Sequence, residues 1–259
     1  MRLPHSLAQD IRHGALIGAA VLTLLVPPAR WVQEPGAPSA GAAVALVPMH
    51  TPAPQPDFGG VEATANAREL VEWIARTGDN AGMPFVLVDK PAARLHVFNA
   101  NASLRDSTPV LLGFAPGDDT VPGIGQRPVE QVKPHERTTP AGRFVGHLGH
   151  NLTGEDVVWV DYDAAVSMHR VRPTLQPKER RAERLASPTI ADNRISYGCI
   201  NVPAAFYEAQ LQPVFSKMSA VVYVLPEHKT LGEVFGLAPA PKSAQPAAQA
   251  AVRRPAGPA

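Results

Sequence analysis

A mostly β fold, a sandwich or barrel with short helices, is predicted by three features of the chain. Residues 85–225 carry repeated short runs rich in Val, Leu, Phe and Tyr, at 85–89, 94–98, 109–114, 143–148, 157–162, 165–169 and 220–225. Gly, Pro, Asn and Asp fill the intervals, as tight turns between strands require. Helical patterning is confined to short stretches, and no repeat of solenoid period is visible.

Taken in order, residues 1–30 place Arg2 and Arg12 before the mostly apolar run 14–26, followed by Pro27, Pro28 and Arg30. That run is too short for the roughly 20 residues a bilayer span needs, and it suits the core of an export signal. With no clean small-x-small cleavage site after it, the segment is expected to be a signal peptide or an uncut signal anchor attached to the membrane. Residues 31–60 are dense in Pro and Ala and read as a linker. A lead-in over 61–82 holds a helix capped by Thr64 or Asn66, with Ala67, Leu70, Val71, Ile74 and Ala75 on one face and Gly78 as its stop.

The β domain follows over 83–226, interrupted by a charged helical stretch at 178–185 and by a helix from Pro203 to about Phe215, Pro being suited to a first turn. Beyond it, 227–259 is expected to be a short helix and a disordered tail, because the tail lacks aromatics and periodicity to offset its ordering entropy.

Composition narrows the function. Formal charge is +1 with pI near 8.0, and no Lys/Arg run is interleaved with aromatics, which argues against nucleic acid as a partner. His147-x-x-His150 with His135 lacks the nearby Cys or carboxylates that would complete a zinc site, so no metal or organic cofactor is expected. Cys199 is the one cysteine, so an exported chain would carry it as a free thiol.

That thiol sits in Arg194-Ile195-Ser196-Tyr197-Gly198-Cys199-Ile200-Asn201-Val202-Pro203, between a Gly and a helix start. A thiol becomes a nucleophile as thiolate, which calls for a neighbouring imidazole or helix N-terminus. His169, at the end of the apolar run 164–168, is the candidate base, and the N–H groups around Gly198 and Cys199 are candidate oxyanion donors. Ser196 is expected to support the loop and Ser167 to pack in a strand; neither lies in a Gly-x-Ser-x-Gly elbow. Asn201 either touches substrate or caps the next helix, and Arg194 is either a substrate clamp or a surface charge.

The chain resembles the L,D-transpeptidase catalytic domain of the YkuD type, over roughly residues 83–226. Val88-Asp89-Lys90 with Leu95-His96-Val97-Phe98 is similar to its opening hairpin, and Thr139-Pro140-Ala141-Gly142-Arg143-Phe144 to its Thr-Pro turn. Met168-His169 and the stretch from Ser196 to Val202 then match its His and Ser-His-Gly-Cys motifs in order. The resemblance implies a cysteine acyltransferase of the periplasm or cell envelope whose partners are peptidoglycan stem peptides. Cys199 would be acylated and His169 would take its proton; beside them Ser196, Tyr197 and Gly198 are expected to support the site and the oxyanion, and Arg194 and Asn201 are the candidates for binding substrate.

Two departures stand out. Tyr197 replaces the family's second His, which leaves room for a catalytically inactive wall-binding module of the same fold. The stretch between His169 and Cys199 is longer than in most members and forms a charged lid, in which Arg170, Arg172, Lys178, Arg180, Arg181 and Arg184 face Glu179 and Glu183. These cations either steer anionic stems or pair with their own neighbours. Hydrolysis of the same acyl-enzyme, as an L,D-carboxypeptidase, is a further alternative.

Overall fold

The computed structural model describes residues 56–172 and 177–237; the expected signal segment, most of the linker and the tail lie outside them. The fold is mostly β. Strands β1 (Phe85–Asp89), β2 (Arg94–Phe98), β3 (Leu104–Pro109), β5 (Gly142–His150), β6 (Asp156–Asp161), β7 (Val166–Arg170), β9 (Ile200–Val202) and β10 (Ala220–Val224) form one mixed sheet in the order β3-β2-β1-β10-β5-β6-β7-β9. A second, parallel pair joins β4 (Leu112–Gly113) to β8 (Arg194–Ser196).

The sheet curls until its edges nearly meet. Pro109 at the end of β3 is registered with Arg94, while Leu111 exchanges main-chain hydrogen bonds of 3.0 and 2.8 Å with Asn201 on the opposite edge. The Asn193 side chain donates to the Val110 carbonyl at 2.8 Å and holds the crossing strand in place.

Continuous apolar runs in β1 and β10 follow from their burial on both faces. Val86, Val88, Val222 and Val224 point into the curled sheet with Leu95, Val97, Val158, Met168, Ile200 and Val202. Phe85, Leu87, Val221 and Tyr223 alternate outward beneath helix α1 (Ala65–Thr77), which covers them with Ala67, Leu70, Val71 and Ile74. Thr64 caps α1 by accepting from Ala67 N–H, and its hydroxyl donates to Asp89 at 2.8 Å, tying the helix start to the end of β1.

Helix α2 (Arg181–Ala186) follows a turn of 3₁₀ helix at Pro177–Glu179. Helix α3 runs from Ala204–Phe206 through a π-turn at Tyr207–Leu211 to Gln212–Phe215. Pro213 explains the interruption of the helix expected there, because it has no N–H to give the carbonyl of the preceding turn and the ladder shifts. Helix α4 (Leu231–Phe235) begins with a reciprocal Thr230–Glu233 capping box.

Several expectations are corrected. The polar strand β3 carries no apolar alternation and lies outside the expected strands, and β8 and β9 hide inside the cysteine motif. The strand expected over 109–114 shrinks to Leu112–Gly113, because its first half serves as the crossing segment. At the end of the expected linker, Phe58 is buried edge-on against Phe98 and His96, and Asp57 bridges to Ser103.

A buried ionic knot closes the end of the sheet. The fully buried Lys90 ammonium donates to Asp118 at 3.0 Å and to the carbonyls of Thr139 and Gly117. Asp118 also accepts the N–H groups of Glu227, His228 and Lys229 at 2.7, 2.8 and 2.7 Å. Burial works against this carboxylate, but those donors and Lys90 hold its pKa far below the usual range. Its stability contribution is therefore present above the unfolded-state pKa of about 3.9 and is lost as pH falls through the folded value. Asp118→Asn is expected to cost about 3–5 kcal/mol, as breaking a buried pair does, measured by urea unfolding at neutral pH.

His96 on β2 adds a second acid-sensitive element. It is fully buried among Phe58 and Phe98, with neither ring nitrogen hydrogen-bonded among the described residues. Burial, with the charges of Arg94 and Arg68, pushes its pKa down to about 4. Since the unfolded chain protonates His96 near pH 6.5, stability is lost between that pH and the folded value, by about 3 kcal/mol for this one group. His96→Leu is expected to flatten the stability profile from about pH 6.5 to 4 and to raise Tm, because two unpaired buried nitrogens disappear.

Candidate active site

The site grows from the parallel pairing of β7 with β9. Met168 is registered with Ile200 and His169 with Asn201, and Met168 and Ile200 are wholly in the core. Strand alternation then sends Ser167, His169, Cys199 and Asn201 to the opposite face. There a cavity of about 520 Å³ opens, lined by Ser167, His169, Cys199, Ser196, Tyr197, Arg181, Trp159 and others.

Cys199 is half-buried. Its Sγ lies 3.5 Å from the Ala165 carbonyl oxygen and accepts from Ser167 Oγ at 3.7 Å. Burial raises the thiol's pKa, but the hydrogen bond and charge of His169, with the amide and hydroxyl of Ser167, bring it below its ordinary value. For His169 burial lowers the pKa, and the Cys199 partner and the Arg170 carbonyl more than offset this, while Arg181 opposes them. Each group thus favours the charged form of the other, while burial opposes both and Arg181 opposes the imidazolium. His169 Nδ1 is 3.1 Å from the Arg170 carbonyl oxygen and Nε2 is 3.0 Å from Asn201 Nδ2.

The loop carrying the cysteine is held by side chains on both sides. Ser196 Oγ donates to the Cys199 carbonyl at 2.6 Å and accepts from Gly198 N–H at 3.1 Å. That N–H, expected as an oxyanion donor, is thus engaged within the loop. Thr139 Oγ1 donates to the Gly198 carbonyl at 2.8 Å and accepts from Gly113 N–H at 2.9 Å. Gly198 has φ +129°, and a Cβ there would come within 2.9 Å of the Thr138 carbonyl oxygen, so the position calls for glycine.

The remaining expected residues divide. Tyr197 is 38% exposed at the cavity edge, its ring 3.8 Å from the Arg137 guanidinium carbon, which is cation–π geometry. Asn201 is fully buried and meets His169 and Arg181, so its side chain orients the imidazole. Arg194 does not line the cavity. It pairs with Glu227 in the ionic knot, a partner that neither the clamp nor the surface-charge reading of the sequence supplies. The cations of the stretch between His169 and Cys199 are largely engaged too: Arg170 with Asp156 and Glu208, Arg172 with Glu155, Arg180 with Glu183, and Arg181 with Glu179.

Ser167, expected as strand packing, touches the thiol. Its spacing of two from His169 on one strand is the signal in the sequence that points to this. The contacts of Thr139 and Arg181 depend on chain crossings that no local pattern reveals.

Fold and site together define a mostly β protein with a thiol–imidazole pair facing a cavity. No family model matches the chain, and no curated protein matches it. Its neighbours among solved structures are L,D-transpeptidases. One is the LD transpeptidase LdtMt1 in complex with imipenem, at 16% identity and TM-score 0.30, over 55% of this chain and 58% of that one. Another is the L,D-transpeptidase from Xylanimonas cellulosilytica DSM 15894, at 13% identity and TM-score 0.35, over 61% of this chain and 69% of that one. The chain thus spans less than two thirds of the length of the first.

Since His169 is what lowers the Cys199 pKa against burial, His169→Gln is expected to move the thiol's titration upward. Its alkylation by iodoacetamide, followed against pH, should slow about tenfold at neutral pH for each pH unit by which the midpoint rises. A profile unchanged from the parent would mean that the imidazole does not act on the thiol.

Proposed function

We propose that this protein is a peptidoglycan L,D-transpeptidase of the YkuD type, with Cys199 as nucleophile and His169 as base. The observation that carries this is the thiol and imidazole set by strand register on one face of adjacent strands, at a cavity. In the first step His169 takes the thiol proton as sulfur adds to the carbonyl of the stem peptide's third residue. The departing amine leaves with a proton and a thioester remains on Cys199. An amine of a second stem then attacks the thioester and gives its proton to His169, a new amide forms, and the Cys199 thiolate is released.

Ser196 and Gly198 hold the nucleophile loop, Tyr197 borders the cavity, and Asn201 orients the base. Arg194 contributes as a brace through Glu227. The substrate places the protein in the periplasm or cell envelope, in keeping with the export-signal layout of residues 1–30.

Incubation with a disaccharide tetrapeptide, followed by mass spectrometry, tests the proposal. A thioester adduct on Cys199 and a cross-linked product are expected, both absent in Cys199→Ala. His169→Ala is expected to slow acylation by about 10²- to 10⁴-fold. Product formed by Cys199→Ala would sink the cysteine mechanism, and tripeptide without cross-linked product would identify a hydrolase.

A further inference from the structure

Arg181 belongs to the long stretch between His169 and Cys199, on a helix that buries none of its own residues. Its side chain is nevertheless only 11% exposed. The guanidinium reaches Glu179 on one side and Asn201 Oδ1 on the other.

A guanidinium can only donate hydrogen bonds, so this contact decides which end of the Asn201 amide faces it. The oxygen turns to Arg181 and the NH₂ group to His169, with Nδ2 3.0 Å from Nε2. Nε2 must then offer a lone pair. Nδ1, beside the Arg170 carbonyl oxygen, must carry the hydrogen. Arg181, Asn201 and Arg170 between them specify the neutral Nδ1–H tautomer of His169. A proton moved from Cys199 to the ring would make both nitrogens donors and set N–H against N–H at Nε2. Turning the amide over would only transfer the conflict to Arg181.

We infer that Arg181 is a positioning residue that acts through Asn201 to hold His169 neutral, and so opposes the thiolate–imidazolium pair. The charged and titratable groups that share the cavity with the ring are Cys199, Tyr197, Glu155, Arg170, Arg172 and Arg181, and Glu179 pairs with Arg181. The carboxylates of Asp156, Glu155 and Glu179 each face an arginine. The inference rests on the Cys199–His169 pair of the proposed function. Its test involves no peptide, so its failure is distinct from failure of the substrate assignment.

Alkylation of Cys199 by iodoacetamide against pH, in the full chain, reads the thiol. Nitrogen NMR of the His169 ring, assigned through His169→Gln, reads the tautomer. The parent should show Nδ1–H with a lone pair on Nε2 at neutral pH. Arg181→Met should move the alkylation midpoint down by about one pH unit, with about tenfold faster reaction on the acid limb. Arg181→Lys, which keeps a donor for Asn201 Oδ1, should stay within about twofold of the parent, well under that tenfold change. A parent ring protonated on Nε2, an Arg181→Met midpoint unmoved or raised, or a Lys variant that departs as far as Met would each overturn the inference.

Discussion

Everything at this site hangs on Asn201. Its main chain exchanges two hydrogen bonds with Leu111 and brings the edges of the sheet together, and its side chain links the His169 imidazole to Arg181. One buried residue thus joins sheet closure to the orientation of the base. Because β7 and β9 are parallel and registered at His169–Asn201, the same pairing also sets the thiol. The distance between nucleophile and base is inherited from backbone geometry, which varies less than side-chain rotamers do.

The ionic knot does comparable work at the other end of the motif. Lys90 from the first hairpin, Asp118 from the loop after β4, the Thr139 carbonyl and the main chain of residues 227–229 converge there. Thr139 also holds Gly198 and Gly113, so the knot and the cysteine loop share a residue. Arg194, in the strand that leads into that loop, enters the same knot through Glu227. Charges that look available for ligand in the sequence are used inside the protein.

How much is legible in the sequence follows from period and range. Strands with apolar runs, such as Phe85–Asp89 and Ala220–Val224, announce themselves because both faces are buried. Leu104–Pro109 does not, since an edge strand with half-exposed polar residues has no such pattern. The thiol and the imidazole are visible as residue types with a known chemistry. Their supports are not: Thr139 acts on a loop far along the chain, and Arg181 acts through an amide whose orientation only the fold decides. Arg194 stays open in the sequence because a lone arginine beside a cysteine motif looks the same whether its partner is a ligand or a distant glutamate.

The crossing segment between Pro109 and Leu112 carries a consequence for how such a chain can diverge. Its closing contacts with Ala93 and Asn201 are made by backbone atoms, which every residue except proline supplies in full. Substitutions along it are buffered only among apolar residues of similar size, since the Val110 and Leu111 side chains are wholly buried. A single inserted or deleted residue is not, because it would reverse which side chains face inward and pull Leu111 out of step with Asn201. In a lineage of such proteins this segment would keep both its length and its apolar character, whereas exposed loops would vary in both.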